Sequence, residues 1–353
     1  MTILLKKNAT EENISSIMTA LQDMGLDGAL APGETKTLIC IKGEETTKLD
    51  MIKALINYEG VEQVNPVNSP YKMVSRELNP DYSNGHKKVI DVSGVMIGGD
   101  RPVIISGPCT VFNYEQMYAT AKAVKEAGAE ILRGGAYKPR TSPYSFQGLG
   151  EEGLKMLRDV GQEVGMPIIT EVMDTRNVEK ISGYADILQI GARNMQNFDL
   201  LKEAGRQPKP VLLKRGGLEP TLENWLCCAE YIALEGNPNI ILCERGIPTR
   251  ISGEYSRNTL DFNIIKAAQE KTYLPIIVDP SHASGRSDMI EGLSKAALSM
   301  GIDGLMIEVM RNNEEPHIQY SNNGKSEITG FCDYKQSLRA SRFAKIMQCL
   351  KML

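Results

Sequence analysis

Short apolar runs alternate with helical patterns along most of this chain. From about residue 89, a run of three or four mainly apolar residues is followed by a polar tip and then by a helical segment, and this unit repeats eight times. Continuous apolar runs of this length are typical of parallel strands buried on both faces. The eight runs are Val103-Ile104-Ile105, Glu130-Ile131-Leu132, Pro167-Ile168-Ile169, Ile187-Leu188-Gln189-Ile190, Val211-Leu212-Leu213, Ile240-Ile241-Leu242, Ile276-Ile277-Val278 and Leu305-Met306-Ile307.

Eight strand–helix units predict an α/β fold of the (β/α)8 TIM-barrel class, with the helices outside. A doubly wound sheet is the alternative, but no G-x-G-x-x-G motif follows the first strand. Helical spacing between the strands is clearest at 115–127, 151–164, 222–234, 261–270 and 289–300.

The first 67 residues show a different pattern, with the order βαββαβ. Strands are predicted at 3–5, 28–30, 37–41 and 61–64, and helices at 11–24 and 48–58. This order predicts a small ferredoxin-like α+β domain. We therefore divide the chain into a ferredoxin-like (ACT-like) domain at 1–67, a turn-rich linker at 68–88 and a barrel at 89–353.

Composition and charge narrow the choice of partners. The net charge of −4 and the sequence pI of about 5.7 argue against nucleic acid or an anionic membrane as a partner. No apolar run approaches the roughly 20 residues that span a bilayer. The start of the chain lacks a signal-peptide layout, and the seven cysteines follow no disulfide spacing, so we expect reduced thiols and a cytoplasmic protein.

Charged residues and possible metal ligands follow every predicted barrel strand. Active sites of this fold collect at the C-terminal ends of the strands, so these side chains should meet on one face. Clustered Arg and Lys in an acidic protein point to phosphate or carboxylate substrates. The tip residues are Cys109, Arg133, Glu171, Arg193, Lys214, Arg215, Glu244, Arg245, Asp279, His282 and Glu308, with Lys138 and Arg140 in the long loop after the second strand.

Three of these residues make a possible metal site. Cys109, His282 and Glu308 offer a thiolate, an imidazole and a carboxylate, a set that suits a divalent first-row metal. They lie on different strands, so their spacing alone is weak evidence. The alternatives are a buried thiol at Cys109 and a catalytic or hydrogen-bonding histidine at His282.

Several long motifs make a family resemblance specific. The stretch 132–150, LRGGAYKPRTSPYSFQGLG, resembles the 3-deoxy-arabino-heptulosonate 7-phosphate synthases of the shikimate pathway, in the subfamily with an N-terminal ferredoxin-like domain. The segments 107–109, 189–194, 213–216, 243–246 and 278–282 also match, and the likeness covers essentially the whole chain.

The resemblance implies a reaction and a role for each site residue. Phosphoenolpyruvate would condense with erythrose 4-phosphate in the presence of a divalent metal ion (Mn, Fe, Co or Zn). It implies that Lys138, Glu171 and Asp279 are catalytic residues. The implied metal ligands are Cys109, His282, Glu308 and Asp333, and the implied substrate-binding residues are Arg133, Lys138, Arg140, Thr141, Ser142, Arg193, Lys214, Arg215, Glu244 and Arg245.

The chain departs from the family pattern after the eighth strand. Glu308 is followed by Val309-Met310, and the family pattern resumes only at Cys332-Asp333, after an insertion. We choose Asp333 over Asn322 as the fourth metal ligand, because a neutral amide is a poorer ligand for a hard dication. Residues 317–320 have the pattern of a short strand, which predicts a small hairpin within the insertion.

Two other functions remain open at this point. A related condensation could use arabinose 5-phosphate, although the loop at 138–142 favours erythrose 4-phosphate. An inactive barrel acting as an allosteric subunit is the other alternative, but all the strand-tip residues are present. The resemblance also implies an aromatic amino acid effector for residues 1–67, and we expect a homo-oligomer, either a dimer or a tetramer.

Overall fold

A computed structural model describes residues 1–33, 35–67, 69–140, 142–249, 257–312, 317–320, 326–329 and 335–350. It divides into two compact units, the first with residues 1–88 and 270–273 and the second with the remainder. No helix in these described ranges is long and apolar enough to cross a membrane.

The first unit contains a four-stranded antiparallel sheet with the order β2-β3-β1-β4. This confirms the predicted βαββαβ order and the ferredoxin-like fold. The start of the first helix is set by local hydrogen bonds, because Thr10 and Asn13 each accept a hydrogen bond from the other's backbone N–H. The elements are β1 (Thr2–Leu5), α1 (Glu11–Asp23), β2 (Asp27–Pro32), β3 (Thr37–Lys42), α2 (Leu49–Ala54) and β4 (Val61–Asn65).

The predicted linker is an ordered part of this first unit. The Arg76 guanidinium donates to the backbone carbonyls of Tyr82, His86 and Thr272. The rings of Tyr82 and Tyr273 stack with their centroids 4.0 Å apart. The segment from Arg76 to His86 therefore folds around residues 270–273 instead of spanning a gap as an extended chain.

The second unit is a closed barrel of eight parallel strands. Neighbouring strands pair in chain order, and the eighth strand pairs with both the seventh and the first, which closes the ring. All eight strands lie at the predicted apolar runs, so the barrel prediction is confirmed. They are β7 (Val103–Gly107), β8 (Ile131–Arg133), β9 (Ile168–Val172), β10 (Ile187–Ile190), β11 (Val211–Lys214), β12 (Ile240–Glu244), β13 (Ile276–Val278) and β14 (Gly304–Met310).

Helices lie at all five segments where the spacing predicts them, and the described residues contain further helices that the spacing did not identify. The helix predicted at 222–234 has those bounds in the structure, and its Thr221 cap accepts from the backbone N–H of Asn224. The helices are α3 (Tyr114–Glu126), α4 (Glu151–Val164), α5 (Val178–Ser182), α6 (Phe198–Gly205), α7 (Leu222–Leu234), α8 (Phe262–Lys271), α9 (Pro280–Ser284), α10 (Ile290–Ser299) and α11 (Ala340–Leu350).

A hairpin that the sequence analysis did not predict precedes the barrel. Its strands are β5 (Ile90–Val92) and β6 (Val95–Ile97), and its apolar side chains join one buried cluster with residues from all eight barrel strands. The barrel interior is therefore filled with side chains, as in other barrels of this class. The hairpin predicted in the insertion is present, with β15 (His317–Tyr320) paired to β16 (Ser326–Thr329).

Candidate active site

A cavity of about 520 Å³ lies where the C-terminal ends of the barrel strands meet. Among the described residues, seven cationic side chains and one carboxylate, Glu171, line this cavity. A surplus of positive charge in a protein of net charge −4 marks a site for anions. The seven cations are Arg133, Lys138, Arg140, Arg193, Lys214, Arg245 and Arg257.

Asp279 joins two of the cavity residues. The Lys214 Nζ donates to its Oδ2 at 2.5 Å, and the His282 Nδ1 lies 2.7 Å from the same oxygen. Burial opposes the charge of Asp279, but His282 and Lys214 hold the pKa of this carboxyl well below its usual value. Burial lowers the pKa of His282, against the opposing effect of Asp279, which favours the neutral imidazole. With Nδ1 bonded to Asp279, the Nε2 of His282 faces Glu308 at 3.5 Å.

Glu308 is a fully buried carboxylate within β14, two residues before the strand ends. Its Oε2 accepts from the Arg133 Nη1 at 2.9 Å, and its backbone N–H donates to the Ser281 Oγ at 3.0 Å. Burial opposes the charge of Glu308, but Arg133 and His282 lower the pKa of this carboxyl below its usual value. The carboxylate is therefore ionised in its buried position, as a metal ligand or an ion-pair partner must be.

Cys109 and Lys138 form the other side of this region. The Lys138 Nζ lies 2.9 Å from the Cys109 carbonyl oxygen and 3.1 Å from its Sγ. Burial opposes the charge of Arg133, but Glu308, Cys109 and Asp279 together raise its pKa above the usual value. Cys109, Glu308 and Arg133 thus interact electrostatically. Within the described ranges, however, no three His, Cys, Asp or Glu side chains lie close enough together to hold a metal ion.

Glu171 is the carboxylate that faces the cavity. Gln189 donates to its Oε2 at 3.4 Å, and both residues line the cavity wall. A Cβ on Gly191 would lie 2.0 Å from the Glu171 Oε1. Glycine at 191 is therefore what leaves room for this carboxylate.

The loop after β8 brings Arg140 to the cavity. The Arg140 Nε is buried and has no hydrogen-bond partner among the described residues. A buried donor without a partner is costly, so a ligand that accepts a hydrogen bond would stabilise this arginine. The Arg193 Nη1 donates to the Pro139 carbonyl at 3.1 Å, which holds the loop against the strand tips. Ser142 lies farther out on the exposed surface, and Thr141 lies outside the described residues.

The structure does not bring Arg215 and Glu244 to the described part of the cavity wall. These two side chains are buried, at 1% and 0% exposed, in an ion pair with each other. Glu244 also accepts from the backbone N–H of Gly246, and Arg215 donates to the Pro220 carbonyl. The pair therefore stabilises the loops that follow β11 and β12, next to the cavity residues Lys214 and Arg245.

Several residues near the cavity, Gln189 among them, were not among the predicted site residues. Arg257 and Asn258 line the wall, and the Asn258 amide donates to the His282 carbonyl at 2.8 Å. Gln336 and Ser337 contact Glu308. Arg257 and Asn258 lie well beyond the end of β12, shortly before α8, so the pattern of charged residues directly after each strand could not identify them. Asp333, the predicted fourth metal ligand, lies outside the described residues.

The sequence matches two family profiles that together cover most of the chain. The DAHP synthetase I family matches residues 81–345, and the DAHP synthase ferredoxin-like domain matches residues 1–69.

Individual proteins are similar over the same regions. Phospho-2-dehydro-3-deoxyheptonate aldolase of Thermotoga maritima is 43% identical over 100% of this chain and 97% of its own length. The crystal structure of phospho-2-dehydro-3-deoxyheptonate aldolase (DAHP synthase) from Thermotoga maritima has a TM-score of 0.72 at 41% identity, covering 99% of this chain and 96% of the other. A 2-dehydro-3-deoxyphosphooctonate aldolase of Syntrophotalea carbinolica is 33% identical over 62% of this chain and 84% of its own length.

Proposed function

This chain belongs to the DAHP synthetase I family, and we propose that its barrel condenses phosphoenolpyruvate with D-erythrose 4-phosphate. The products are 3-deoxy-D-arabino-heptulosonate 7-phosphate and inorganic phosphate, in the first step of the shikimate pathway toward the aromatic amino acids. The observation that carries this proposal is the set of seven cations around one cavity. Two phosphorylated substrates need such a surplus of positive charge to be held together.

We assign phosphoenolpyruvate to five of the cavity cations and the aldose phosphate to residues 140–142 of the loop after β8. Arg133, Lys138, Arg193, Lys214 and Arg245 would hold phosphoenolpyruvate, because all five line the cavity, and Arg133, Lys138 and Lys214 are buried there. Arg140, with its unpartnered Nε, would bind the phosphate of the aldose together with Thr141 and Ser142. Arg215 and Glu244 would act indirectly, by fixing the loops that follow β11 and β12, next to Lys214 and Arg245.

The reaction requires one carbon–carbon bond and two proton movements. C3 of phosphoenolpyruvate attacks the aldehyde carbon, and we assign Lys138 as the donor of a proton to the aldehyde oxygen. Water then adds at C2, and phosphate leaves with the original C2 oxygen. We assign Glu171, the carboxylate on the described cavity wall, as the acceptor of the proton of that water. Asp279 keeps the His282 ring in one orientation and neutralises Lys214.

The family uses a divalent metal ion, and its identity is open here. We propose Cys109, His282, Glu308 and Asp333 as ligands. The fit is best at His282, because a histidine whose Nδ1 is bonded to a carboxylate presents Nε2 to a metal. When bound, the metal would polarise the aldehyde as a Lewis acid.

A phosphate-release assay with two aldoses tests this function. We expect turnover of phosphoenolpyruvate with erythrose 4-phosphate and little turnover with arabinose 5-phosphate. The similarity to octonate aldolases is the reason to include the second aldose, since one of them is 33% identical over 62% of this chain. A preference for arabinose 5-phosphate would reassign the substrate, and the absence of phosphate release with both would favour an inactive allosteric barrel.

We propose that residues 1–67 bind an aromatic amino acid, tyrosine or phenylalanine, and inhibit the enzyme. A chain that begins at Lys72 is expected to keep activity and to lose this inhibition, because the described cavity residues all lie in the second unit. It would also keep Arg76, which bonds to the 270–273 segment. Initial rates with and without each amino acid measure the effect.

The matched control for this truncation is a chain that begins at Val89. It loses Arg76 and Tyr82, which contact Thr272 and Tyr273, so we expect lower stability than for the chain that begins at Lys72. Inhibition of the Lys72 chain at the full-length level would refute the regulatory role. A cytoplasmic location and a dimeric or tetrameric state are further proposals.

A further inference from the structure

The chain returns to the active site after the insertion. The Ser287 backbone N–H donates to the Lys335 carbonyl at 2.9 Å, and β17 (Leu338–Arg339) pairs in parallel with the end of β14. These contacts hold Gln336 and Ser337 beside Glu308. Both side chains are buried, at 1% and 5% exposed.

Gln336 contacts a cation with one end of its amide and an anion with the other. Its Oε1 accepts from the Arg257 Nη1 at 2.9 Å, and its Nε2 donates to the Glu308 Oε2 at 3.4 Å. In the reverse orientation, the amide NH2 of Gln336 would face the Arg257 donor and its oxygen would face the Glu308 carboxylate. These two neighbours therefore determine the orientation of the amide. Ser337 donates through its hydroxyl to the other carboxylate oxygen, Oε1 of Glu308.

We infer that Gln336 and Ser337 are positioning residues, and that Gln336 couples the substrate-facing Arg257 to the buried carboxylate Glu308. The inference rests on the proposed function, in which Glu308 is a metal ligand. Arg257 lines the same cavity as Arg245, so it becomes a further contact for an anionic substrate. Occupation of Arg257 by a substrate and the geometry of Glu308 are then linked through one amide.

Two variants separate the contacts of Gln336 from the contact of Ser337. Gln336→Met removes both amide contacts, and Ser337→Ala removes the hydroxyl contact to Glu308 but keeps the bond between Gln336 and Arg257. We expect both to weaken metal binding by about 10-fold, the scale for residues that orient a metal ligand. Only Gln336→Met should also raise the KM of one anionic substrate. Equilibrium dialysis with Mn²⁺ alone and steady-state kinetics give the two readouts.

Three further variants complete the test. Gln336→Glu keeps an acceptor for Arg257 but loses the donor to Glu308, so KM should stay and metal affinity should change, even if Gln336→Met folds poorly. The KM effects of Arg257→Met and Gln336→Met should combine to less than their product, because they share one contact. Gln269→Met is the matched control. Its amide donates to the carbonyls of Met300 and Gly301, and its loss should leave metal affinity and KM unchanged.

Two results would overturn the inference. One is wild-type metal affinity and KM in Gln336→Met. The other is a rise in KM in Ser337→Ala as large as that in Gln336→Met, which would indicate a general disturbance of the site. If the wild-type chain binds Mn²⁺ but releases no phosphate, the proposed function fails, while the dialysis measurements still decide whether the pair positions Glu308.

Discussion

His282→Ala should lose most of its bound metal and nearly all of its turnover. The substitution removes an imidazole whose Nδ1 is held by Asp279 at 2.7 Å and whose Nε2 faces Glu308. Loss of a residue that merely orients a ligand costs roughly 10–100-fold in metal affinity, so loss of the ligand itself should cost more. Metal content after dialysis and the rate of phosphate release with erythrose 4-phosphate measure the two effects.

Cys109→Ala should behave in the same way, and two controls limit the interpretation. His86→Ala removes an exposed histidine of the linker and should change neither metal content nor rate. Cys243→Ser alters another buried barrel thiol, whose pKa is raised by burial and which is not a predicted ligand. Full activity with bound metal in either His282→Ala or Cys109→Ala would remove that residue from the ligand set.

The barrel was predictable because each strand can be recognised from its own short stretch of sequence. Every barrel strand is a short apolar run, and such runs stay apolar because both faces of a parallel strand are buried. The hairpin formed by β5 and β6 was missed, since it precedes the repeated strand–helix units and β5 alternates the buried Ile90 and Val92 with the exposed Asp91 over only three residues. A segment that short carries too few positions for its period to be recognised.

The site was only partly predictable, because every charged residue at a strand end was expected to line the cavity. In an extended strand, successive side chains point to opposite faces. Lys214 lines the cavity, so its neighbour Arg215 points away, and likewise Glu244 points away while Arg245 lines the cavity. The alternation rule was available in the sequence and would have separated these pairs.

The sequence around Gln336 and Arg257 does not mark either residue as part of the site. Gln336 lies 28 positions from Glu308, and Arg257 lies 79 positions from Gln336. The pairing of β17 with β14 and the hydrogen bond between Ser287 and Lys335 bring Gln336 to Glu308. Contacts of this kind depend on the folded barrel and not on the pattern near each residue.

The buried pair of Arg215 and Glu244 leads to the largest expected loss of stability. Arg215→Met should lower the free energy of unfolding by about 3–5 kcal/mol, because it leaves a fully buried carboxylate without its cation. Arg215→Met with Glu244→Gln should recover part of the loss, since a neutral amide can still accept from Gly246. Trp225 is the single tryptophan of the chain and donates to the Leu213 carbonyl, so its fluorescence in urea reports on the barrel.

The exposed pair of Arg176 and Asp174 provides the control for this prediction. Arg176→Met should leave the urea midpoint of the Trp225 signal unchanged, because solvent screens an ion pair of this kind. Arg245→Met should raise the KM of phosphoenolpyruvate with less loss of stability, since its side chain faces the cavity. If Arg215→Met instead kept wild-type stability and raised KM as Arg245→Met does, Arg215 would be a substrate contact and its role as a support for the loops would be wrong.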